Sequence, residues 1–129
     1  MFAQWGCAVM ILVGCLCGYI FVLESFLWMR ESTMRVFSVS GTDEAESTRE
    51  MAFNQGFYNL FIGLMALGGS IAYLSGRFTV GMTLMLAAAA SMSAAAIVLF
   101  VSSPDKRGAA VKQLVLPLVG GVLLLLSIL

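Results

Sequence analysis

Residues 5–29 read WGCAVMILVGCLCGYIFVLESFLWM, and Glu24 is the only charged residue among them. A helix needs roughly 20 apolar residues to cross the hydrocarbon core of a bilayer, and this run is long enough to do so. Trp5 and Trp28 lie near its two ends, where amphipathic rings favour the membrane interface. The run therefore predicts a membrane-spanning helix. We expect it to be retained, because a cleaved signal peptide has a basic start and a shorter apolar core.

Three further apolar segments follow, at about residues 51–73, 78–101 and 111–129. Of the 129 residues, 60% are hydrophobic and 11% are charged, whereas soluble domains have roughly 25% charged residues. A soluble fold of this length could not bury so much apolar surface. The sequence predicts an all-α fold, an integral membrane four-helix transmembrane bundle that forms one domain over residues 1–129. Residues 30–50 are predicted to form a cytoplasmic loop.

Local signals refine this outline. Thr42–Glu46 is typical of a capped helix start with acidic residues in its first turn. No Gly or Pro interrupts residues 43–55, so this helix is expected to continue into the second apolar segment. The third segment is rich in alanine, which predicts close packing at the centre of the bundle. Pro117 is expected to kink or loosen the start of the fourth segment.

The distribution of basic residues predicts the orientation. Six of the seven lie in the first and third connections, and one lies in the second: Arg30, Arg35, Arg49, Lys106, Arg107 and Lys112 against Arg77. Connections that face the cytoplasm have an excess of Lys and Arg. Both termini are therefore predicted to lie outside the cytoplasm. The net charge is formally zero and there is no basic patch, so no nucleic-acid partner is expected.

The chain has no histidine and three cysteines, Cys7, Cys15 and Cys17, all in the first segment. We interpret the cysteines as small packing residues, and we expect no metal, no cofactor and no disulfide. Gly14 and Gly18 form a GxxxG pattern, a weak indication of close helix packing. Together with the alanine-rich third segment, this pattern fits either a tightly packed monomer or a dimer, and we favour a homodimer.

Glu24 is the most informative single residue. A carboxylate within a membrane helix costs at least about 2.5 kcal/mol on insertion scales, so it needs a partner, a proton or water. Helical spacing places Cys17, Phe21, Glu24 and Trp28 on one face. Alternatively, Glu24 is shallow enough to reach interfacial water.

A second polar group occupies the matching depth of the second segment: Asn54, Gln55, Tyr58 and Asn59. Gln113 begins the fourth segment at the same level. Because neighbouring helices are antiparallel, we expect a ligand pocket near the cytoplasmic leaflet, lined by Glu24, Trp28, Asn54, Gln55, Tyr58, Asn59, Gln113 and Cys17. Glu24 is expected to contact one of the second-segment side chains. The alternative is that these groups only join helices, at roughly 0.6 kcal/mol per hydrogen bond.

Three stretches resemble the DUF1304 family of small bacterial four-helix membrane proteins. They are YIFVLESFLW at 19–28, VFSVS at 36–40 and NQGFYNLF at 54–61, and a weaker similarity continues through QLVLP at 113–117. The resemblance implies the same topology and a bacterial cell membrane, but no activity. The family pattern usually has a histidine two residues before Tyr19, where this chain has Cys17. This chain would therefore lack half of any His–Glu pair.

Three functions fit these features. The first is binding, or help in moving, a membrane lipid or a hydrophobic or amphiphilic small molecule. The second is service as an accessory subunit of a membrane complex, through an exposed face of small residues on the third segment. The third is an intramembrane enzyme in which Glu24, the best catalytic candidate, transfers a proton on an apolar substrate.

Overall fold

The computed structural model describes all 129 residues and contains five α-helices and no strand. A single turn of 3₁₀-helix precedes the last α-helix. The elements are α1 Phe2–Ser25, α2 Glu31–Val36, α3 Thr42–Leu74, α4 Phe78–Ser102, the 3₁₀ turn Pro104–Lys106 and α5 Arg107–Leu126.

Four of the helices are long and apolar enough to cross a membrane: α1, α3, α4 and α5 together with the 3₁₀ turn. They form a ring in chain order, in which α1 packs against α3 and α5, and α4 packs against the same two. The predicted fold class, an all-α four-helix bundle, is confirmed. Four candidate spans suggest a multi-pass membrane protein, and the outer surface fits this, since Val98 and Val101 on α4 are 64% and 71% exposed.

The helix bounds differ from the predicted spans at several ends. Helix α1 ends at Ser25, so Trp28 lies in the turn that follows it. Helix α3 has 33 residues and starts at Thr42, which confirms that the helix continues into the second segment. The predicted side-chain cap from Thr42 is wrong. Gly41 occupies the cap position without a side-chain bond, and the Glu44 carboxylate accepts the Ser40 N–H at 2.7 Å instead.

The alanine-rich helix α4 does not lie at the bundle centre, which corrects that prediction. Each helix of the ring occupies a corner, and α4 has few contacts with the diagonal α1. Small residues bury one face of α4, namely Ala88, Ala89 and Ala96, while Ala94 and Ala95 are exposed. The same helix supplies Met85 and Met92, which fill the middle of the core. Helix α5 runs through Pro117 without interruption.

Helices α1 and α3 cross at two glycines. A Cβ atom added to Gly63 would lie 2.7 Å from the Cys17 Cβ and 3.1 Å from the Gly14 carbonyl oxygen, so only glycine permits this approach. Gly18, the second residue of the GxxxG pattern, has no atom within 4 Å of such a Cβ. The pattern is thus used once, inside the chain, and gives no support to a dimer interface.

The two ends of the bundle differ in their number of basic residues. One end, called the basic end below, holds α2 and the 3₁₀ turn; the other holds both termini and the turn at 75–77. The Lys106 Nζ donates to the Ser38 carbonyl oxygen at 3.1 Å, so the first and third connections lie together, as predicted. Six basic residues therefore belong to one end and Arg77 to the other.

Candidate functional site

Glu24 lies in the last turn of α1 at the basic end and is 8% exposed. The Asn59 amide Nδ2 of α3 donates to its Oε2 at 2.8 Å, and Asn59 is itself 9% exposed. The expected contact between Glu24 and the second apolar segment is therefore present. The same amide donates to the Gln55 carbonyl oxygen at 3.2 Å, which ties it to its own helix.

The close approach of α1 and α3 makes this contact possible. A Cβ atom on Gly56 would lie 3.1 Å from both the Phe21 carbonyl oxygen and the Ser25 nitrogen. The Ser25 hydroxyl donates to the Phe53 carbonyl oxygen at 3.0 Å one turn further along. Because the helices are antiparallel neighbours, the end of α1 and the middle of α3 meet at one level. Asn59, three residues after Gly56, then lies beside Glu24.

A cavity of about 520 Å³ lies among the four long helices at the basic end. It is called the interhelical cavity below. Its walls are mainly apolar, with Leu16 and Ile20 from α1 and Leu99 from α4, and Val36 and Phe37 of the α2 region close one side. A volume of this size and an apolar lining with few polar groups are typical of sites for small molecules.

Four of the predicted pocket residues line this cavity: Glu24, Trp28, Gln55 and Gln113. They come from α1, the turn after it, α3 and α5. A second, shallower depression of about 680 Å³, called the outer groove, is also lined by Glu24 and Trp28. These two side chains thus separate the outer groove from the interhelical cavity. The set provides one carboxylate and two amides, which can pair with a polar end group while the walls contact an apolar body.

Trp28 is fixed by its indole nitrogen. Nε1 donates to the Ala45 carbonyl oxygen at 3.0 Å and to the Thr48 hydroxyl at 3.3 Å. The ring centroid lies 5.3 Å from that of Phe37. The polar edge of the indole is therefore satisfied by α3, and its apolar ring remains as cavity wall.

An ion pair joins the two connections at the basic end. The Lys106 Nζ lies 3.1 Å from the Glu44 Oε1, and the side chains are 25% and 31% exposed. The other oxygen of Glu44 accepts the Ser40 hydroxyl at 2.6 Å. Both charged residues line the interhelical cavity, but their charges neutralise each other.

Asn54 and Tyr58 do not belong to the cavity, which corrects the predicted pocket. Each is two residues from Gly56, which faces α1, so each lies about 200° around the helix from that contact. Tyr58 is 64% exposed, and the Asn54 amide donates only to the Glu50 carbonyl oxygen of its own helix, at 3.2 Å. Sequence spacing gave the correct depth for both residues but the wrong side of the helix.

Cys17 is also outside the cavity. It shares a helix face with Glu24 but lies seven residues earlier, roughly 10 Å deeper along the axis. Its side chain is fully buried, with the sulfur 3.4 Å from the Met92 sulfur of α4. Cys17 therefore fills the core, and no second polar group accompanies Glu24 from this position.

Sequence reasoning missed three charged residues of the cavity: Glu44, Lys106 and Lys112. Glu44 and Lys106 are 62 positions apart, and no local pattern signals their pairing. Lys112 immediately precedes Gln113, and only its positive charge was used, to predict the orientation. Its position one residue before a predicted pocket residue on α5 was the one available indication.

Comparison with known proteins identifies the family. Residues 11–125 match the family model described as protein of unknown function, DUF1304. The chain belongs to the DUF1304 family. The matched range covers most of the chain, including Glu24, Asn59 and every residue that lines the interhelical cavity. No curated protein and no solved structure matches the chain.

Proposed function

We propose that this DUF1304 protein binds an amphiphilic or hydrophobic small molecule, or a lipid, in the interhelical cavity. The observation that carries the proposal is a cavity of about 520 Å³ with mainly apolar walls and one buried carboxylate, Glu24. An apolar body would displace water from Leu16, Ile20 and Leu99. A polar end group would meet Glu24, Gln55 or Gln113 at the basic end.

The protein acts, in this proposal, as a multi-pass protein of the cell membrane. The basic end faces the cytoplasm, because short connections rich in Lys and Arg remain on that side. Both termini then lie outside the cytoplasm. This orientation puts the cavity at the level of the cytoplasmic leaflet.

Entry from the leaflet fits the exposure of the lining residues. Tyr19 on α1 and Met51 on α3 line the cavity, yet they are 56% and 72% exposed. The cavity is therefore open at the sides of the bundle, between helices. An amphiphile could move sideways from the leaflet into the cavity without passing through water.

The geometry supports the enzyme hypothesis less well than it supports the binding hypothesis. Tyr58, one of the predicted pocket residues, lies on the outer side of α3, and Cys17 is in the core. Glu24 then has Asn59 as its only hydrogen-bonding partner. A carboxylate and an amide suffice for binding, whereas proton transfer would need a substrate that brings its own acid or base.

Filling the cavity with a larger side chain tests the proposal. Ala95 lines the cavity from α4, and its neighbour Ala94 is exposed but does not line it. We expect native mass spectrometry of the wild type, purified from membranes into nanodiscs, to show a bound small component. Ala95→Trp should lose this component and Ala94→Trp should keep it. Equal retention by both variants, or no bound component in the wild type, would contradict the proposal.

A further inference from the structure

One oxygen of the buried carboxylate has no partner. The Glu24 Oε2 accepts the Asn59 amide, but Oε1 accepts no hydrogen bond. Thr33 Oγ1 is the one side-chain polar atom that is fully enclosed without a partner, so the Glu24 Oε1 retains some accessible surface. Since Glu24 lines the interhelical cavity and is more than nine-tenths buried, that surface faces the cavity or the outer groove.

No cation of the protein lies within 4.0 Å of this carboxylate, and the two that line the outer groove with it, Arg30 and Arg49, are exposed. The ion pairs within 4.0 Å join Arg35 to Glu31, and Lys106 to Glu44 and Asp105. Lys106 is thus already paired. Lys112 lines the same cavity, but it is exposed and its charge is screened by solvent. Glu24 is the one buried ionisable side chain of the cavity, and it has no opposite charge beside it.

The neighbouring wall is aromatic. Trp28 and Phe37 line the interhelical cavity. Trp28 also lines the outer groove, as Glu24 does. Its indole N–H is occupied by α3, so it offers the ring rather than a donor. Aromatic rings attract cations, tryptophan most strongly, and the attraction grows when the cation is desolvated. A carboxylate beside an aromatic wall is a favourable environment for an ammonium group.

We propose that the ligand is an amphiphile with a cationic ammonium end group, which pairs with the Glu24 carboxylate in the interhelical cavity. Its apolar chain lies along Leu16, Ile20 and Leu99. This inference rests on the proposed function and names its ligand class. An anionic end group would be repelled by Glu24. A neutral alcohol could donate one hydrogen bond, but it has no positive charge to attract the carboxylate or the aromatic rings.

Amphiphiles of one chain length test the class. The wild-type protein in nanodiscs is titrated with radiolabelled dodecyltrimethylammonium, and binding to empty nanodiscs is subtracted. Unlabelled dodecylammonium, dodecanol and dodecyl sulfate then compete. We expect dodecylammonium to compete at least about tenfold better than dodecanol, a difference of roughly 1.4 kcal/mol. Dodecyl sulfate should not compete.

Two glutamates, one inside the cavity and one outside it, provide a matched pair of variants. Glu24→Gln keeps the shape and should weaken dodecyltrimethylammonium binding at least about tenfold. Glu31→Gln changes an exposed glutamate that does not line the cavity, and it should bind as the wild type does. Glu24→Asp retains the carboxylate on a side chain that is shorter by one methylene group, which moves it away from the ligand. This variant should bind with intermediate affinity. Circular dichroism of each variant confirms that the helices remain.

The outcomes separate this inference from the proposed function. If dodecanol competes as well as dodecylammonium, and Ala95→Trp abolishes both, the cavity binds amphiphiles but the ammonium class is wrong. Equal ammonium binding by Glu24→Gln and Glu31→Gln would also overturn it. If no probe binds above empty nanodiscs, both proposals fail. The comparison of probes on the wild type needs no variant, so a Glu24→Gln protein that fails to fold leaves a decisive measurement.

Discussion

Replacing Asn59 with leucine should destabilise the bundle because it removes the only hydrogen-bond donor to Glu24. The bond has a length of 2.8 Å, and both residues are at least nine-tenths buried. Leucine has the same number of side-chain heavy atoms and the same branching, so packing is largely kept and the loss is mainly polar. Removing one partner leaves the other unsatisfied, which costs about 1–3 kcal/mol and more for a charged group.

The membrane reduces the expected size of the effect. Interhelical hydrogen bonds in membrane bundles average about 0.6 kcal/mol and reach about 1.7 kcal/mol, because the unfolded chain in the membrane also finds partners. The Glu24 carboxylate retains one accessible oxygen that water or a ligand can reach, which lowers the penalty further. We therefore expect Asn59→Leu to lower the free energy of unfolding by about 1–2 kcal/mol.

Asn54 supplies a matched control on the same helix. Its amide donates only to the Glu50 carbonyl oxygen, on the exposed side of α3. Asn54→Leu should change stability by less than about 0.5 kcal/mol, as most surface substitutions do. The assay is reversible unfolding from mixed micelles by added dodecyl sulfate, followed by circular dichroism.

A double-mutant cycle shows whether the loss comes from this pair. If Asn59 acts through Glu24, then Asn59→Leu should cost less in a Glu24→Gln background than in the wild type, with a coupling of at least about 0.5 kcal/mol. The reasoning is refuted if Asn59→Leu is as stable as Asn54→Leu, or if the two substitutions simply add. In either case Glu24 would be satisfied without Asn59.

Three further outcomes are expected. Gly63→Ala should lower stability by about 1–3 kcal/mol through overpacking against α1, whereas Gly68→Ala, which has open space, should raise it by up to about 1 kcal/mol through helix propensity; equal unfolding midpoints would contradict this. Lys106→Met should change stability by less than about 1 kcal/mol but speed amide hydrogen exchange at residues 37–41; unchanged exchange would show that the Glu44 ion pair does not hold this loop. A reporter fused after Leu129 should be active outside the cytoplasm, and cytoplasmic activity would reverse the proposed orientation.

The sequence was sufficient to predict the number of the four long helices and the depth of their residues in the bundle. Apolar segments of more than 18 residues have few alternatives in a membrane, since every backbone polar group must be bonded within the segment. The absence of Gly and Pro at 43–55 was enough to extend α3 to Thr42. Depth also placed Asn59 level with Glu24, because neighbouring helices in a short bundle are antiparallel.

Rotation about the helix axis could not be predicted in the same way. Almost every side of these helices is apolar, so no polar face marks the outward side. Residues that face lipid and residues that face the protein core are therefore alike in the sequence. Tyr58 and Asn59 are adjacent in the chain, yet one is 64% and the other 9% exposed. The buried glycines, above all Gly56, mark the inward side of α3, but their role becomes visible only when the neighbouring helix is in place.

The position of the cavity follows from where the helices touch. Helices α1 and α3 pack together from Gly14 and Gly63 up to Ser25 and Gly56 at the basic end. Contacts of this pair with the other two helices are closest at the opposite end, where a Cβ on Gly120 would lie 2.8 Å from the Met10 sulfur. The two pairs of helices therefore leave a wedge at the basic end, and the interhelical cavity fills it.

The ion pair between Glu44 and Lys106 crosses this wedge, since it joins the start of α3 to the turn before α5. Its partial exposure limits its contribution to about 1 kcal/mol or less. A ligand that widened the wedge would therefore break this ion pair with little loss of free energy, whereas the close contacts near Gly63 and Gly120 would oppose the separation of the helices. Glycine contacts thus hold α1 against α3 up to the buried carboxylate, whereas the exposed ion pair is the weaker link between the two pairs of helices at that end.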